Sequence, residues 1–340
     1  MTNKLTVILP TYNIERYLRE CLDSVVKQTY KNLEIIILDD NSSDSTPDII
    51  KEYAAKDERI KPVFHTKNHG PGNTRNEGLD KATGDYVTLM DHDDWQELDK
   101  YEKMMAAIIR HEADFALCDA AAHDQKSGVK TRKTWQRKMQ GFDPEKPLDI
   151  TDWDIKLKLL NIYIPPWAKI VSRRLINANK MVFSVGDNLF DDMLYHYHLM
   201  LVAKKATFVP ETLYYHRYFP ASISGQWADK GDLKIITLLQ IWQDIEKICQ
   251  QNNIPPQWIF KAYIKLLAKS AYRADNSRQY IAEIRDIINR LGMQKSDFPK
   301  QYRIYYQNVM HYSWLRRFVG RAIRKSKLRM QIAFGKKSSQ

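Results

Sequence analysis

Apolar residues in the first 120 positions follow two alternating rhythms. Short unbroken runs at Leu5-Thr6-Val7-Ile8-Leu9, residues 33–38, the weaker 60–64 and residues 86–90 read as buried strands. Between them the apolar positions recur every three or four residues. Leu18, Cys21, Leu22, Val25 and Val26 form one helix face, and Ile49, Ile50, Tyr53 and Ala54 another. Pro10 closes the first strand, and Asn13 stands where a helix cap belongs. Thr46 followed by Pro47 is a cap with proline at the first helical position. Gly70-Pro71-Gly72 opens a helix carrying Arg75 and Asn76. Strand alternating with helix predicts an α/β fold with a mostly parallel central sheet flanked by helices.

Beyond residue 96 the pattern continues. Leu98, Tyr101, Met104, Met105, Ile108 and Ile109 predict a helix face, and Phe115-Ala116-Leu117-Cys118 a strand. Residues 123–148 are polar and basic, either a loop beside an anionic acceptor or a solvated excursion. A helix is expected from Trp153, then the turn Ile164-Pro165-Pro166-Trp167-Ala168-Lys169. From about Asp232 the chain reads as helical to Leu291.

Composition adds three bounds. The 340 residues suffice for about two domains, and 44% apolar with 28% charged residues is ordinary for a globular chain. Cys21, Cys118 and Cys249 are odd in number and far apart, which disfavours a disulfide framework or a zinc site and fits a reducing compartment. No run of some 18 apolar residues and no leader-like start is visible, so neither a membrane span nor a secretory signal is expected. The net charge of +12 is uneven: no acidic residue follows Asp297, while 11 Lys and Arg do, leaving residues 1–297 nearly neutral.

The densest chemistry is Asp91-His92-Asp93-Asp94, at the end of the run Tyr86-Val87-Thr88-Leu89-Met90. Carboxylates at the carboxyl end of such a strand face the crevice where α/β sheets bind ligands. Oxygen donors suit a hard divalent cation, Mg²⁺ or Mn²⁺, which fills its sphere with water and substrate phosphate. The same acids also read as a cap for the next helix. Right-handed crossovers would bring Tyr12 and Asp40 to the same edge, a ring to stack on a base and a carboxylate to accept from a base or ribose. Neither a G-x-G-x-x-G nor a G-x-x-x-x-G-K loop follows the first strand, which weighs against a dinucleotide dehydrogenase and a phosphate-loop NTPase.

Val7-Ile8-Leu9-Pro10-Thr11-Tyr12-Asn13, Gln28-Thr29-Tyr30, Leu38-Asp39-Asp40-Asn41-Ser42-Ser43-Asp44, Arg75-Asn76-Glu77-Gly78, Ala82-Thr83-Gly84-Asp85-Tyr86 and Asp91-His92-Asp93-Asp94-Trp95 together resemble the inverting family 2 glycosyltransferases of the GT-A fold. The resemblance implies a UDP-sugar donor and a divalent metal. By position Pro10, Thr11, Tyr12 and Asp40 would contact the nucleotide, and Arg75 the diphosphate. Asp91 and Asp93 would form the D-x-D pair, Asp93 being the direct ligand, with His92 expected to point away. Trp167 resembles an acceptor-side ring, and also reads as a core tryptophan. Asp191-Asp192 resembles the family's acidic pair, with Asp192 as base and Asp191 as its orienting neighbour; helix capping is the plainer reading. His216 would be a late metal ligand or diphosphate contact, and Arg217 a contact on the diphosphate or acceptor side.

These readings give a catalytic domain over residues 1–228, with a nucleotide half to about residue 120, a helical subdomain over 229–312 and a basic tail over 313–340. In the tail Leu315, Phe318, Val319, Ala322 and Ile323 share one helical face, and Arg316, Arg317, Arg321, Arg324 and Lys325 crowd the rest. That suits an anionic membrane surface, and equally a helix docked on the protein itself; nucleic acid is disfavoured because the catalytic half has no basic face with interleaved aromatics. The expectation is sugar transfer from a UDP-sugar to a glycan acceptor, lipid-linked, at the inner face of the membrane in cell-surface polysaccharide synthesis. An oligomer is compatible. Two rivals stand beside it: a catalytically silent nucleotide-binding scaffold and a nucleotidyltransferase of similar fold.

Overall fold

The computed structural model describes residues 3–124, 130–133, 142–162, 165–186, 190–218 and 231–311. The chain divides into two compact units, Met1–Ala228 with Ile241–Ile254, and Asp229–Gln240 with Pro255–Gln340.

The first unit is built on one sheet. In chain order come β1 (Leu5–Thr11), α1 (Glu15–Val26), β2 (Leu33–Asp39), α2 (Thr46–Lys56), β3 (Ile60–Phe64), α3 (Pro71–Lys81), β4 (Tyr86–Leu89), β5 (Trp95–Gln96) and α4 (Lys100–Arg110). Then follow β6 (Phe115–Asp124), β7 (Lys130–Lys133), β8 (Leu148–Asp149), α5 (Trp153–Ile162), β9 (Lys169–Ser172), α6 (Arg173–Ala178), α7 (Asp191–Val202) and β10 (Lys205–Tyr218). The strand order is β3-β2-β1-β4-β9-β6-β10-β5, with β7 on β6 and β8 on β10. β3, β2, β1 and β4 are all parallel. The chain steps outward from β1 to β3 and then crosses to the other side of β1. The switch point therefore lies between β1 and β4, and their carboxyl ends border a binding crevice. The expected parallel sheet holds for this half. Further on β9 runs against both β4 and β6, while β6 and β10 are parallel, so the second half is mixed.

The strands are continuous apolar runs because both faces are covered: every residue of β1 and β2 is buried. α1 buries Tyr17, Leu18, Cys21, Leu22 and Val25, close to the predicted face. Leu98 and Ile109, expected on the core face of α4, are 47% and 45% exposed. Leu98 precedes the helix, and Ile109 falls on its outer side. Asn13 does not cap α1. It adopts φ +46, which Asn tolerates, and its Oδ1 accepts from the Ser43 N–H. The free N–H groups of Ile14 and Glu15 are instead capped by Thr46 Oγ1 at 2.9 Å and Asp44 Oδ2 at 3.0 Å. α3 lies unusually close to its neighbours. A Cβ on Gly78 would sit 2.4 Å from Ile8 Cγ2, and one on Gly72 2.1 Å from the Ser184 carbonyl oxygen.

The second unit is helical. Residues 231–240 of α8 (Gly231–Gln251), α9 (Pro256–Ala271), α10 (Ser277–Arg290) and α11 (Arg303–Met310) enclose Ile259, Phe260, Tyr263, Ile264, Ile281, Ile284 and Ile288. Tyr263 donates its buried hydroxyl to the Leu238 carbonyl at 2.8 Å. Among the described residues no helix is long and apolar enough to cross a membrane, and Cys21, Cys118 and Cys249 are buried and unpaired. The predicted tail, residues 313–340, lies outside the described residues.

Candidate active site

β4 delivers Asp91 to the switch point, and β10 returns beside it to hold the following residues. Asp94 is the anchor. Its carboxylate is fully buried, accepting from the Tyr214 hydroxyl at 2.7 Å, His216 Nδ1 at 3.2 Å and the Arg217 backbone N–H at 2.7 Å. Arg217 Nε donates to the Asp93 carbonyl at 2.8 Å, and the Asp91 N–H points to Tyr214 Oη at 3.3 Å. Groups from a single strand, Tyr214, His216 and Arg217, thus hold Asp91, Asp93 and Asp94. His92 turns away, its Nδ1 2.9 Å from the Pro10 carbonyl.

Asp93 is treated differently. Among the described residues its carboxylate has no hydrogen-bond partner. Burial first, then the charges of Asp94 and Asp91, push its proton affinity up to about 6, against the opposing pull of His92. His216 adds to that pull, and neither histidine forms an ion pair with the Asp93 carboxylate. Asp91 is partly served, since Arg75 NH2 lies 3.1 Å from its Oδ1.

Arg75 then reaches across to the second acidic group. Its other terminal nitrogen pairs with Asp191 at the start of α7. Burial would lower the guanidinium's proton affinity, but Asp191, Asp91 and Asp192 together raise it above the ordinary value. One buried arginine therefore draws the β4 acids and the α7 acids to the same crevice. Phe190, just before the pair, adopts φ +57, a left-handed conformation costly for a bulky residue.

Among the described residues no three His, Cys, Asp or Glu side chains group closely enough to enclose a metal alone. A site of one or two carboxylates would be completed by substrate phosphate and water. The unpartnered Asp93 carboxylate fits a hard cation.

The sequence profile described as Glycosyl transferase family 2 matches residues 6–165. Glycosyltransferase GlyA of Streptococcus pneumoniae is 32% identical over 232 residues, 67% of this chain but 32% of GlyA, so the chain spans about a third of that relative's length. The putative glycosyltransferase EpsH of Bacillus subtilis is 31% identical over 254 residues, 74% of this chain and 71% of EpsH. The chain belongs to glycosyltransferase family 2. The fold of this family 2 glycosyltransferase is of the GT-A type. S. aureus TarS 1–349, solved in complex with UDP-GlcNAc, superimposes with a TM-score of 0.69 at 20% identity, covering 95% of this chain and 92% of that one.

Within the family 2 site several expected contacts sit differently from the sequence reading. Trp167, expected to face an acceptor, is 3% exposed. It stacks on Tyr214 with ring centroids 4.0 Å apart, and its carbonyl accepts from Lys100 Nζ at 2.7 Å; it is a core ring beneath the site. Arg217, expected on the diphosphate or acceptor side, spends its donors on Asp93 and on Glu20 at 2.6 Å, with Tyr17 and Trp95 packed against its guanidinium. It clamps the acidic turn. Asp40 reaches the expected edge, but its carboxylate already accepts from His65 Nδ1 and the N–H groups of His69 and Gly70, each at 2.8 Å. That uses three of about four acceptor positions. Thr11 is buried, its hydroxyl 3.2 Å from the Leu38 carbonyl, so it closes the β1–β2 seam rather than a ligand contact. Pro10 is buried beside it, while Tyr12 stands 46% exposed at the edge. His216 stacks toward Trp167 at 5.9 Å with Nδ1 on Asp94.

Asp94 and Tyr214 carry structural weight that residue-by-residue reading passed over. Tyr214 and His216, two apart on one strand, face the same side. A fourth consecutive acidic-turn position opposite them was the available signal.

Proposed function

We propose that this chain is an inverting glycosyltransferase that moves one sugar from a UDP-sugar to a hydroxyl of a glycan acceptor, lipid-linked, in cell-surface polysaccharide synthesis. The observation that carries this reading is Arg75, which bonds Asp91 at the end of β4 and Asp191 at the start of α7 and so gathers both acidic groups around one crevice. TarS, described with UDP-GlcNAc, supports a uridine nucleotide as the donor carrier.

In the reaction the acceptor oxygen attacks the anomeric carbon as the bond from that carbon to the diphosphate oxygen breaks. Asp192 takes the proton of the attacking hydroxyl, and attack opposite the leaving group inverts the centre. Asp191, held by Arg75, fixes the first turn of α7 and with it Asp192. Asp93, with Asp91, would hold Mn²⁺ or Mg²⁺, whose charge favours departure of the diphosphate. The exposed Tyr12 ring stands ready to stack on the base. Residues 1–228 would form the catalytic domain and 229–312 a packing subdomain, with the basic tail 313–340 holding the enzyme at the inner membrane leaflet.

The test is release of UDP from a panel of UDP-sugars with Mn²⁺ and a lipid-linked glycan fraction. Asp192→Asn should abolish transfer and keep metal-dependent UDP binding, whereas Asp93→Ala should lose both. Equal UDP affinity of Asp93→Ala and the parent, with metal present, would remove the metal assignment.

A further inference from the structure

Lys169, the first residue of β9, is 1% exposed. Its carbonyl is fixed by the Thr88 hydroxyl at 2.7 Å, so the side chain has a set origin. Among the described residues the partner of its ammonium is Nδ1 of the fully buried His196, 3.1 Å away. An ammonium has three donors, and one neutral imidazole cannot offset its burial. Burial does push its proton affinity down, to about 7, and the opposing charge is that of Asp192. His196 is held neutral by burial and then by the ammonium, against a hydrogen bond to the Leu159 backbone on α5. A methionine would fill the space at no electrostatic cost, so packing alone does not explain a lysine here.

Helix register links the pair to the chemistry. Asp192 and His196 are four residues apart on α7 and so share one face. β9 thus places a buried amine, cationic below about pH 7, against the helix face that presents the proposed base. We propose that Lys169, seated on His196, is a positioning residue that keeps the Asp192 carboxylate ionised and aimed at the acceptor hydroxyl. The charged groups acting on Asp192 include Lys169 from β9, Arg75 from α3 and its neighbour Asp191 on α7. This rests on Asp192 being the base.

The decisive measurement needs no acceptor. In protein labelled with ¹³C at the aspartate carboxyl carbon, the Asp192 resonance is assigned by its loss in Asp192→Asn and titrated. In Lys169→Met its midpoint should rise by about one unit, a tenfold tighter hold on the proton. Lys169→Arg should stay near the parent. The acid limb of the kcat profile for UDP release from the preferred UDP-sugar should move up by about one pH unit in Lys169→Met, with donor affinity unchanged. An unmoved Asp192 midpoint in Lys169→Met overturns the proposal, as does a loss of donor affinity that accounts for the whole rate change. Should Lys169→Met not fold, Lys169→Gln is read in the same way. The two readings fail separately. Full activity of Asp192→Asn would remove the base assignment, whereas an inactive Asp192→Asn beside an unmoved midpoint in Lys169→Met would remove only the role of Lys169.

Discussion

Asp94 contributes more to the geometry of the acidic turn than either of its would-be ligand neighbours. Its carboxylate accepts three hydrogen bonds in a buried setting, so Asp94→Asn turns one acceptor into a donor facing other donors. We expect a loss of about 2 kcal/mol or more in urea unfolding, together with weaker Mn²⁺ binding, because Asp93 rides on the same turn. Lys169 gives a pH test. The folded protein binds its proton only below about 7, whereas the unfolded chain binds it below the ordinary lysine value. Between those limits the unfolded state carries more protons, so the parent gains stability as pH rises and loses it as pH falls to about 7. Lys169→Met should therefore gain on the parent as pH drops from 10 to 7, with a constant difference below that. The acids and Arg75 could be read from the chain because their chemistry is unusual in any setting. Trp167 and Asp40 could not be placed the same way. Whether a tryptophan faces a ligand or Tyr214, or a carboxylate faces a base or His65, depends on partners 25 or more positions away in the chain.

Among the elements, α3 is placed by its glycines. Gly78 lets it settle on Ile8 of β1, and Gly72 on the segment before α7; Arg75 projects from between them. Gly78→Ala would force a methyl group onto Ile8 and should cost about 1–3 kcal/mol by overpacking, seen as a lower thermal midpoint. Lifting α3 also separates Arg75 from Asp191, so UDP release should fall further than stability alone explains. Periodicity located β1, β2, β4, α1 and α2, since those strands are buried on both faces and those helices on one, whereas β3 leaves Lys61, Pro62 and Phe64 exposed. Their ends moved where a cap came from elsewhere. Asn13 looked like the cap of α1, yet Asp44 and Thr46 do that work from the next loop. The reversal of β9 left no trace in the sequence, because a four-residue strand, Lys-Ile-Val-Ser, carries no direction.

Across the whole molecule the two units divide the labour by composition as well as by contact. The described part of the second unit offers an apolar helical core, while the excess positive charge collects after Asp297. Removal of residues 313–340 should abolish sedimentation with phosphatidylglycerol vesicles and leave UDP release from a soluble donor intact. Binding by the full chain should weaken steeply with salt, since each basic residue near such a surface contributes about 1 kcal/mol. Equal sedimentation of both forms would remove the tail from the membrane reading. β9 carries a last consequence. It is hydrogen-bonded to β4 on one side and β6 on the other, so the strand leading into Asp91 and the mixed half of the sheet form a single uninterrupted ladder. Such a seam cannot flex like a clamshell. In the proposed reaction the spacing between leaving group and incoming alcohol would then be set during folding, and turnover need not spend time on shutting two jaws.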